Sequence, residues 1–445
     1  MLTEAKFKFW NSAHLLAVSF LCVIILGAII LKYPLATHSG ITFIDALFTA
    51  VSAVCVTGLI TVHVSLCFTQ FGQIIILLLI QVGGLGIMTF AAFILWIVRQ
   101  KISLNDRMAL EYSFIQGDKT FELRDFIFFI VRYTFMTEFI GALCLFFSFQ
   151  GHHKIGEEIF FAIFHSVSSF SNAGFSLYSD NFIRYCNSIP VNLITCILVI
   201  FGGIGFIVVF ELRNCFYNII KKKKHKFHVK SFSLHTWMVL MTTFILIIVG
   251  STLIYFFEHI SGNSSISILE SFFQSVASRT AGFNSIHIGN LHKSTLLIII
   301  FLMFIGGSTA GGIKTTTFAV LIFIMLLGKN NFEDVTARNR TIPKKIIFQA
   351  LIVLLFSLAI VFFSILLICI FEPNITFINL LFETVSAFGT VGLSSGITST
   401  ITINSKWVLM MTMFASRVGS LTIFSIFMNR NPGVIKYTEE RIIVG

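Results

Sequence analysis

Charged residues are scarce. Asp, Glu, Lys and Arg make up 11% of the 445 residues, against roughly a quarter in a soluble globular chain. Such a chain cannot cover a water-facing surface of its own size. Proline is scarce too, with five in all, which suits long helices joined by short loops. The eight cysteines are scattered, and no two have zinc or redox spacing. Most fall in apolar runs and read as small apolar residues of helices. There is no phosphate-cradling GxxxxGK(S/T) loop and no HExxH helix. Nor do the apolar runs hold a paired aspartate or a serine–base pair. A membrane hydrolase and an ATP-driven machine are disfavoured. The apolar stretch 9–31 is long enough to span a bilayer and lacks a clear cleavage site, so it reads as a first spanning helix rather than a signal peptide.

What is abundant points to lipid. The chain is 56% hydrophobic with a mean hydropathy of +0.91, and 53 residues are phenylalanine. The net charge of +11 does not signify nucleic acid, because the basic residues are sorted by side. Lys32, Lys154, Arg184, Lys293 and Lys406 fall on one side of the apolar runs, and Arg279, Lys314 and Arg417 fall inside the membrane zone. The rest of the 31, including the run Lys221–Lys224, fall on the other side. By the positive-inside rule that side and both termini are cytoplasmic. The lysine run reads as a topology anchor on anionic lipid.

Spanning segments are expected near 9–31, 70–98, 126–150, 189–212, 234–257, 294–327, 346–371 and 405–428. They come in pairs, and within each pair lies a shorter apolar segment leading to a glycine. The four glycines are Gly58, Gly174, Gly282 and Gly392, about 110 residues apart. Ten residues before each is a phenylalanine: Phe48, Phe164, Phe272 and Phe382. Five before each is a small residue: Ala53, Ser169, Ala277 and Ala387. Just after each is Leu or Phe. A fourfold repeat of this kind dictates architecture. A segment of about 12 helical residues covers roughly 18 Å, too short for a core of about 30 Å. Each short segment therefore enters the membrane without crossing it. The chain returns as non-helical backbone, tolerated only where it is buried in protein or lines a watery cavity. The expected fold is an all-α membrane protein of four pseudo-repeats, each helix, re-entrant pore helix, filter loop and helix, around one central pore.

The repeats are assigned to 9–98, 124–212, 234–328 and 345–429, with cytoplasmic termini at 1–8 and 430–445. Their loops lie near 56–59, 171–175, 279–283 and 389–393. Exposed carbonyls aimed at an axis from four sides can replace the hydration shell of an ion. The glycines permit φ > 0 and keep a Cβ out of the conduit. The pore-helix dipoles favour a cation. The candidate ion-binding residues are Val56, Thr57, Gly58, Asn172, Ala173, Gly174, Thr280, Ala281, Gly282, Thr390, Val391 and Gly392. They would hold a small cation through backbone carbonyls.

Below the third loop, Gly306-Gly307-Ser308-Thr309-Ala310-Gly311-Gly312-Ile313-Lys314 interrupts a spanning helix. Each interior glycine costs about 1 kcal/mol relative to alanine, so the helix should break there. The small-residue loop at 306–317 is a candidate gate, with Gly306, Gly307, Gly311, Gly312 and Lys314 as its residues and Arg417 counted with them. The pairs Gly83–Gly84 and Gly202–Gly203 read instead as close helix packing. Arg417 is expected inside the last spanning helix, which should continue well beyond it. A charge at that depth is functional by default, either repelling a resident ion or pairing with a carbonyl. Arg279 reads as a brace at the outer end of the third loop, Glu138 as a hydrogen-bonded acid, and His165 and Gln274 as packing or loop-bracing residues.

The fourth loop, Gly389-Thr390-Val391-Gly392-Leu393, looks like a potassium-channel filter. The other loops share mainly the one glycine. One glycine per loop across four unequal repeats in one chain resembles the Trk/Ktr/HKT superfamily of potassium transporters, and the resemblance covers almost the whole chain. Opening directly on the first repeat is similar to the Ktr membrane subunits rather than the Trk proteins. The resemblance implies potassium uptake at a bacterial plasma membrane, often sodium-stimulated. It also implies an intramembrane gating loop and an arginine in the last helix. Finally, it implies a homodimer on a cytoplasmic RCK-type nucleotide-binding regulatory ring, with no cofactor of the chain's own. A sodium or non-selective cation transporter of the same architecture is the alternative. A polytopic membrane enzyme, or an alternating-access transporter with its usual two repeats, fits less well.

Overall fold

The computed structural model describes residues 12–86, 123–149, 154–220, 232–262, 266–307, 311–327, 335–338 and 340–419. The helices are α1 Ser12–Lys32, α2 Phe43–Val54, α3 Gln70–Leu85, α4 Leu123–Phe149, α5 Ile155–Phe170, α6 Ile189–Gly203 and α7 Phe206–Ile220. They continue as α8 Leu234–Ile260, α9 Ile268–Thr280, α10 Lys293–Phe304, α11 Thr315–Leu327, α12 Lys344–Phe371, α13 Phe377–Gly389 and α14 Ile403–Val418. A two-residue hairpin, β1 Thr336–Ala337 with β2 Arg340–Thr341, precedes α12. The order long helix, short helix, loop, helix thus recurs four times along the chain.

Three of the described helices are long and apolar enough to cross a bilayer: α4, α8 and α12. Their outward faces are greasy, as with Phe135 and Phe139 on α4, Phe244 on α8 and Phe362 and Phe363 on α12. The short helices are the reverse. The last two turns of α2, α5, α9 and α13 are buried almost without exception, serines and threonines included. Apolar outside and polar backbone inside is the arrangement lipid demands. Local chemistry starts these helices. Thr42 Oγ1 accepts from Asp45 N (3.2 Å), and Ser267 and Glu270 form a reciprocal capping box.

Each short helix packs on the long helix before it. Ser166 of α5 donates to Glu138 O on α4 (2.6 Å), and Ser275 of α9 donates to Ile247 O on α8 (2.8 Å). Glycine lets the helices close on these hydroxyls. A Cβ at Gly141 or at Gly250 would lie 2.5 Å from the same serine Oγ.

The apolar runs after the loops are not continuous helices. Hydropathy alone predicts single spans at 70–98, 189–212 and 405–428. Instead α3 ends at Leu85, with Gly86 at φ 80°. The 189–212 run is α6 and α7, bent by 98° at Gly205, φ 93°. Helix α14 ends at Val418, with Gly419 at φ 97°. The 294–327 run is likewise two helices, α10 and α11. Four helices therefore stop at the corresponding place, three of them at a single glycine with positive φ. The parts of those runs at 87–98 and 420–428 lie outside the described residues, as do 1–8 and 430–445.

Gly83 and Gly202 pack closely, as the pairing of small residues suggests. A Cβ at Gly83 would overlap the carbonyl of Val54, the last residue of α2, and one at Gly202 would overlap the carbonyl of Phe170, the last of α5. Both obstacles are backbone and cannot rotate away. Gly202→Leu is expected to lower the melting temperature of the detergent-purified protein by about 5 °C or more, or to abolish its monodisperse peak. A variant as stable as wild type would show that α5 and α6 are not so tightly apposed.

Candidate functional site

At the end of each short helix the chain leaves the helix abruptly. Thr57 N donates to Ser52 O (2.7 Å), Ala173 N to Ser168 O (2.7 Å) and Val391 N to Ser386 O (2.9 Å). The serine side chains finish the turn. Gly58 N donates to Ser52 Oγ (3.0 Å), Gly392 N to Ser386 Oγ (3.1 Å), and Ser168 Oγ donates to Phe175 O (2.8 Å). Two residues before the glycine, Val56, Asn172 and Thr390 have φ of 57°, 61° and 50°. That left-handed region is uncommon for any residue but glycine, and most of all for a β-branched one. Such strain concentrates at functional sites.

The third loop is built differently. Helix α9 runs through Thr280, and it is Gly282 N that reaches back to Ala277 O (3.3 Å). The helix therefore lies one residue closer to its glycine. Phe272, aligned by counting from the glycine, is half-buried, and Phe273 is the buried ring that corresponds to Phe48, Phe164 and Phe382. The serine contacts agree, with Ser166 eight residues before its glycine and Ser275 seven before.

The four glycines form a closed ring. A Cβ built on Gly58 would overlap Ala173 O, and one on Gly174 would lie 2.6 Å from Ala281 O. One on Gly282 would overlap Val391 O, and one on Gly392 would overlap Thr57 O. Each loop leans on the next, and the fourth returns to the first. All four glycines have positive φ: 96°, 70°, 65° and 89° in chain order. The carbonyls so juxtaposed belong to Thr57, Ala173, Ala281 and Val391, residues with no exposed surface. Among the described residues no N–H or hydroxyl donates to any of them. Buried carbonyls are almost always paired, and four unclaimed ones in a ring offer oxygens that an electropositive group could satisfy.

The structure thus brings Val56, Thr57, Gly58, Asn172, Ala173, Gly174, Thr280, Ala281, Gly282, Thr390, Val391 and Gly392 into one set of adjoining loops. Thr280 Oγ1 donates to Asn172 Oδ1 (2.9 Å), tying the third loop to the second.

The helix break after α10 lies against this ring. Gly311 N donates to Thr390 Oγ1 and Gly312 N to Ser416 Oγ, both at 2.7 Å. Ile313 N returns to Phe304 O (3.2 Å). A Cβ on Gly307 would lie 2.8 Å from Thr280 Cγ2. Gly306, Gly307, Gly311 and Gly312 therefore sit beside the third and fourth loops. Ser308, Thr309 and Ala310 lie outside the described residues. Lys314 is exposed and immediately precedes α11.

Two arginines have surroundings that hydropathy alone does not give. Arg417 is not deep in a continuing helix but in the last turn of α14, and its Nη2 donates to Gly83 O of α3. That carbonyl belongs to a helix C-terminus, where a cation is favoured by the helix dipole. Arg279 is not at the outer end of its loop. It is buried, 3.5 Å from Thr243 Oγ1, and lines a small cavity with Gly203, Thr280 and Gly307, at the level of the helix breaks.

Other polar residues brace the loops. His165 donates from Nδ1 to Phe161 O (2.8 Å), and its Nε2 accepts from Leu177 N (3.4 Å) just beyond Gly174. Glu138 Oε2 accepts from Gln81 Nε2 (3.1 Å), linking α4 to α3. Lys406 of α14 and Asp45 of α2 form an ion pair at 2.8 Å that joins the last unit to the first. Sequence reasoning missed Ser52, Ser168 and Ser386 as turn-forming residues. They stand at the same distance from their glycines, a signal present in the alignment. It also missed Ser416, which nothing in the sequence distinguishes.

Four buried backbone loops meeting inside a shell of apolar helices define a class: a polytopic membrane protein that handles a small cation. The chain belongs to the TrkH cation transport protein family, whose profile matches residues 11–433. It is 37% identical to Ktr system potassium uptake protein B of Bacillus subtilis, over 99% of this chain and 98% of that protein. It is 35% identical to potassium/sodium uptake protein NtpJ of Enterococcus hirae, over 98% and 97%. The crystal structure of the potassium transporter TrkH from Vibrio parahaemolyticus superposes with a TM-score of 0.68 at 18% identity. It covers 93% of this chain and 84% of that one, and at such identity it speaks to the fold.

Proposed function

We propose that this chain takes up potassium across a bacterial plasma membrane through a single pore formed by its four units. Potassium is the cargo, coordinated by the carbonyls of the ring loops in place of its water shell. The observation that carries the reading is the ring itself: four buried carbonyls, unclaimed among the described residues, each beside the glycine of the neighbouring loop. Uptake needs no energy-coupling domain, since a potential of 100 mV supplies about 2.3 kcal/mol per charge. The segment at 306–317 is the gate, with Arg417 at its side. Following the family resemblance, transport is sodium-stimulated. The chain works as a homodimer on an RCK-type nucleotide-binding ring, with both termini cytoplasmic.

A second reading, passage of sodium beside potassium, draws on the odd geometry of the third loop and on the potassium/sodium name of the Enterococcus relative. The test is rubidium tracer uptake into vesicles holding the purified protein, under an inside-negative potential. Uptake that rises with the potential and is blocked by excess potassium is expected. No uptake by protein that elutes as a folded species refutes the pore.

A further inference from the structure

The residue that follows the buried phenylalanine of each short helix is Thr49, His165, Gln274 or Glu383, and all four are buried. They do unequal things. Thr49 Oγ1 donates back to its own helix at Asp45 O (2.8 Å). His165 holds its loop through the neutral imidazole described above. Both amide atoms of Gln274 lack a partner among the described residues. Glu383 is the one carboxylate. Its Oε1 accepts from Ser394 Oγ (2.6 Å), Ser395 N (2.9 Å) and Ser395 Oγ (3.3 Å), and its Oε2 from Thr398 Oγ1 (2.7 Å). Ser394 Oγ in turn accepts from Gly396 N (2.9 Å).

We propose that Glu383 is a positioning residue that fixes the fourth loop and thereby determines the preference for potassium over sodium. The proposal rests on the pore reading above. A carboxylate offers about four lone-pair sites, and here four donors from one short segment converge on it. The segment they hold starts two residues after Gly392. On the other side Gly392 N is held by Ser386 Oγ. The Val391 carbonyl is therefore clamped before and behind. A clamped carbonyl cannot close in around a smaller ion, whereas a loose one can. Among the described residues the first and third loops have no such clamp and the second is held behind by the imidazole of His165, so the fourth, with four donors on one carboxylate, is the most firmly fixed and carries the discrimination.

The test is Glu383→Gln in vesicles, read as the ratio of rubidium to sodium tracer uptake per amount of monodisperse protein. The ratio is expected to fall about fivefold or more. Thr398→Val, which keeps the carboxylate and removes one donor, is expected to lower it by about twofold to threefold, and decides the matter should Glu383→Gln not fold. The control is Glu372→Gln. Glu372 is another buried carboxylate of the same unit, and it accepts from Thr402 N (2.6 Å) and Ser405 Oγ (2.8 Å) at the outer helix ends. This control should reduce thermal stability and leave the ratio alone. An unchanged ratio in the Glu383 and Thr398 variants, or an equal fall in the Glu372 variant, overturns the proposal. If wild type itself takes up no rubidium, the pore reading fails instead.

Discussion

Gly392→Ser is expected to cut the preference for rubidium over sodium by about tenfold or more, equivalent to a loss of about 1.4 kcal/mol of discrimination. Two separate costs act at this position. The φ of 89° is poorly tolerated by any residue with a Cβ, at about 1–2 kcal/mol. The larger cost is contact. The new Cβ would overlap Thr57 O and lie 2.8 Å from Gly58 Cα. Neither atom belongs to a side chain, so neither can rotate aside. Either Thr57 turns its carbonyl away or the first and fourth loops separate. Both outcomes alter the number and spacing of the oxygens on which selectivity depends. Gly40→Ser separates the two costs, because Gly40 has φ 75° and nothing within 4 Å of its would-be Cβ. That variant should keep the wild-type tracer ratio to within about twofold. A Gly392→Ser protein with wild-type selectivity would remove the fourth loop from the ion path.

The ring was legible because it is repeated. One glycine after a short apolar segment is an ordinary turn, whereas four with common neighbours at fixed offsets constrain one another. At one point the spacing from the glycine misleads. Anchoring on the glycine made Phe272 the equivalent of Phe48, although the offset of α9 gives that place to Phe273. A one-residue offset keeps the composition and the glycine, so only the backbone reveals it. The helix breaks were mostly illegible. Hydropathy does not separate a straight apolar helix from a bent one, and a lone glycine such as Gly86, Gly205 or Gly419 is a weak signal. Only the break after α10, with its four glycines, stood out. Arg417 is affected directly, because a helix assumed to continue hides which carbonyl its guanidinium meets. Once α14 ends at Val418, the arginine becomes a cap on the carbonyl of another broken helix. Polar contacts between units, such as Gly312 to Ser416, join residues about 100 apart in the chain, and no local pattern announces them.

Deleting Gly311, Gly312 and Ile313 is expected to raise basal rubidium flux by about tenfold. This segment is held at two points. Its two latches, Gly311 N to Thr390 Oγ1 and Gly312 N to Ser416 Oγ, are each about 1 kcal/mol net. Both run to the fourth unit, while the chain on either side belongs to the third. The segment therefore bridges two walls of the ring, the position a barrier needs. It approaches closely only because it lacks side chains. A Cβ on Gly311 would lie 2.5 Å from Ser416 Oγ and 2.7 Å from Thr390 Cγ2. Two hydrogen bonds of this size keep the segment in place most of the time, yet a modest differential free energy can release it, as a regulated gate requires. Removing the three residues removes both latches together. Ser416→Ala removes one and keeps the segment's length, so a rise of about threefold to fivefold is expected. The two variants must order themselves, deletion above Ser416→Ala above wild type, in tracer uptake measured without any added partner or nucleotide. Flux that is unchanged or lower in Ser416→Ala, in protein that stays monodisperse, would mean that the ion path is closed elsewhere.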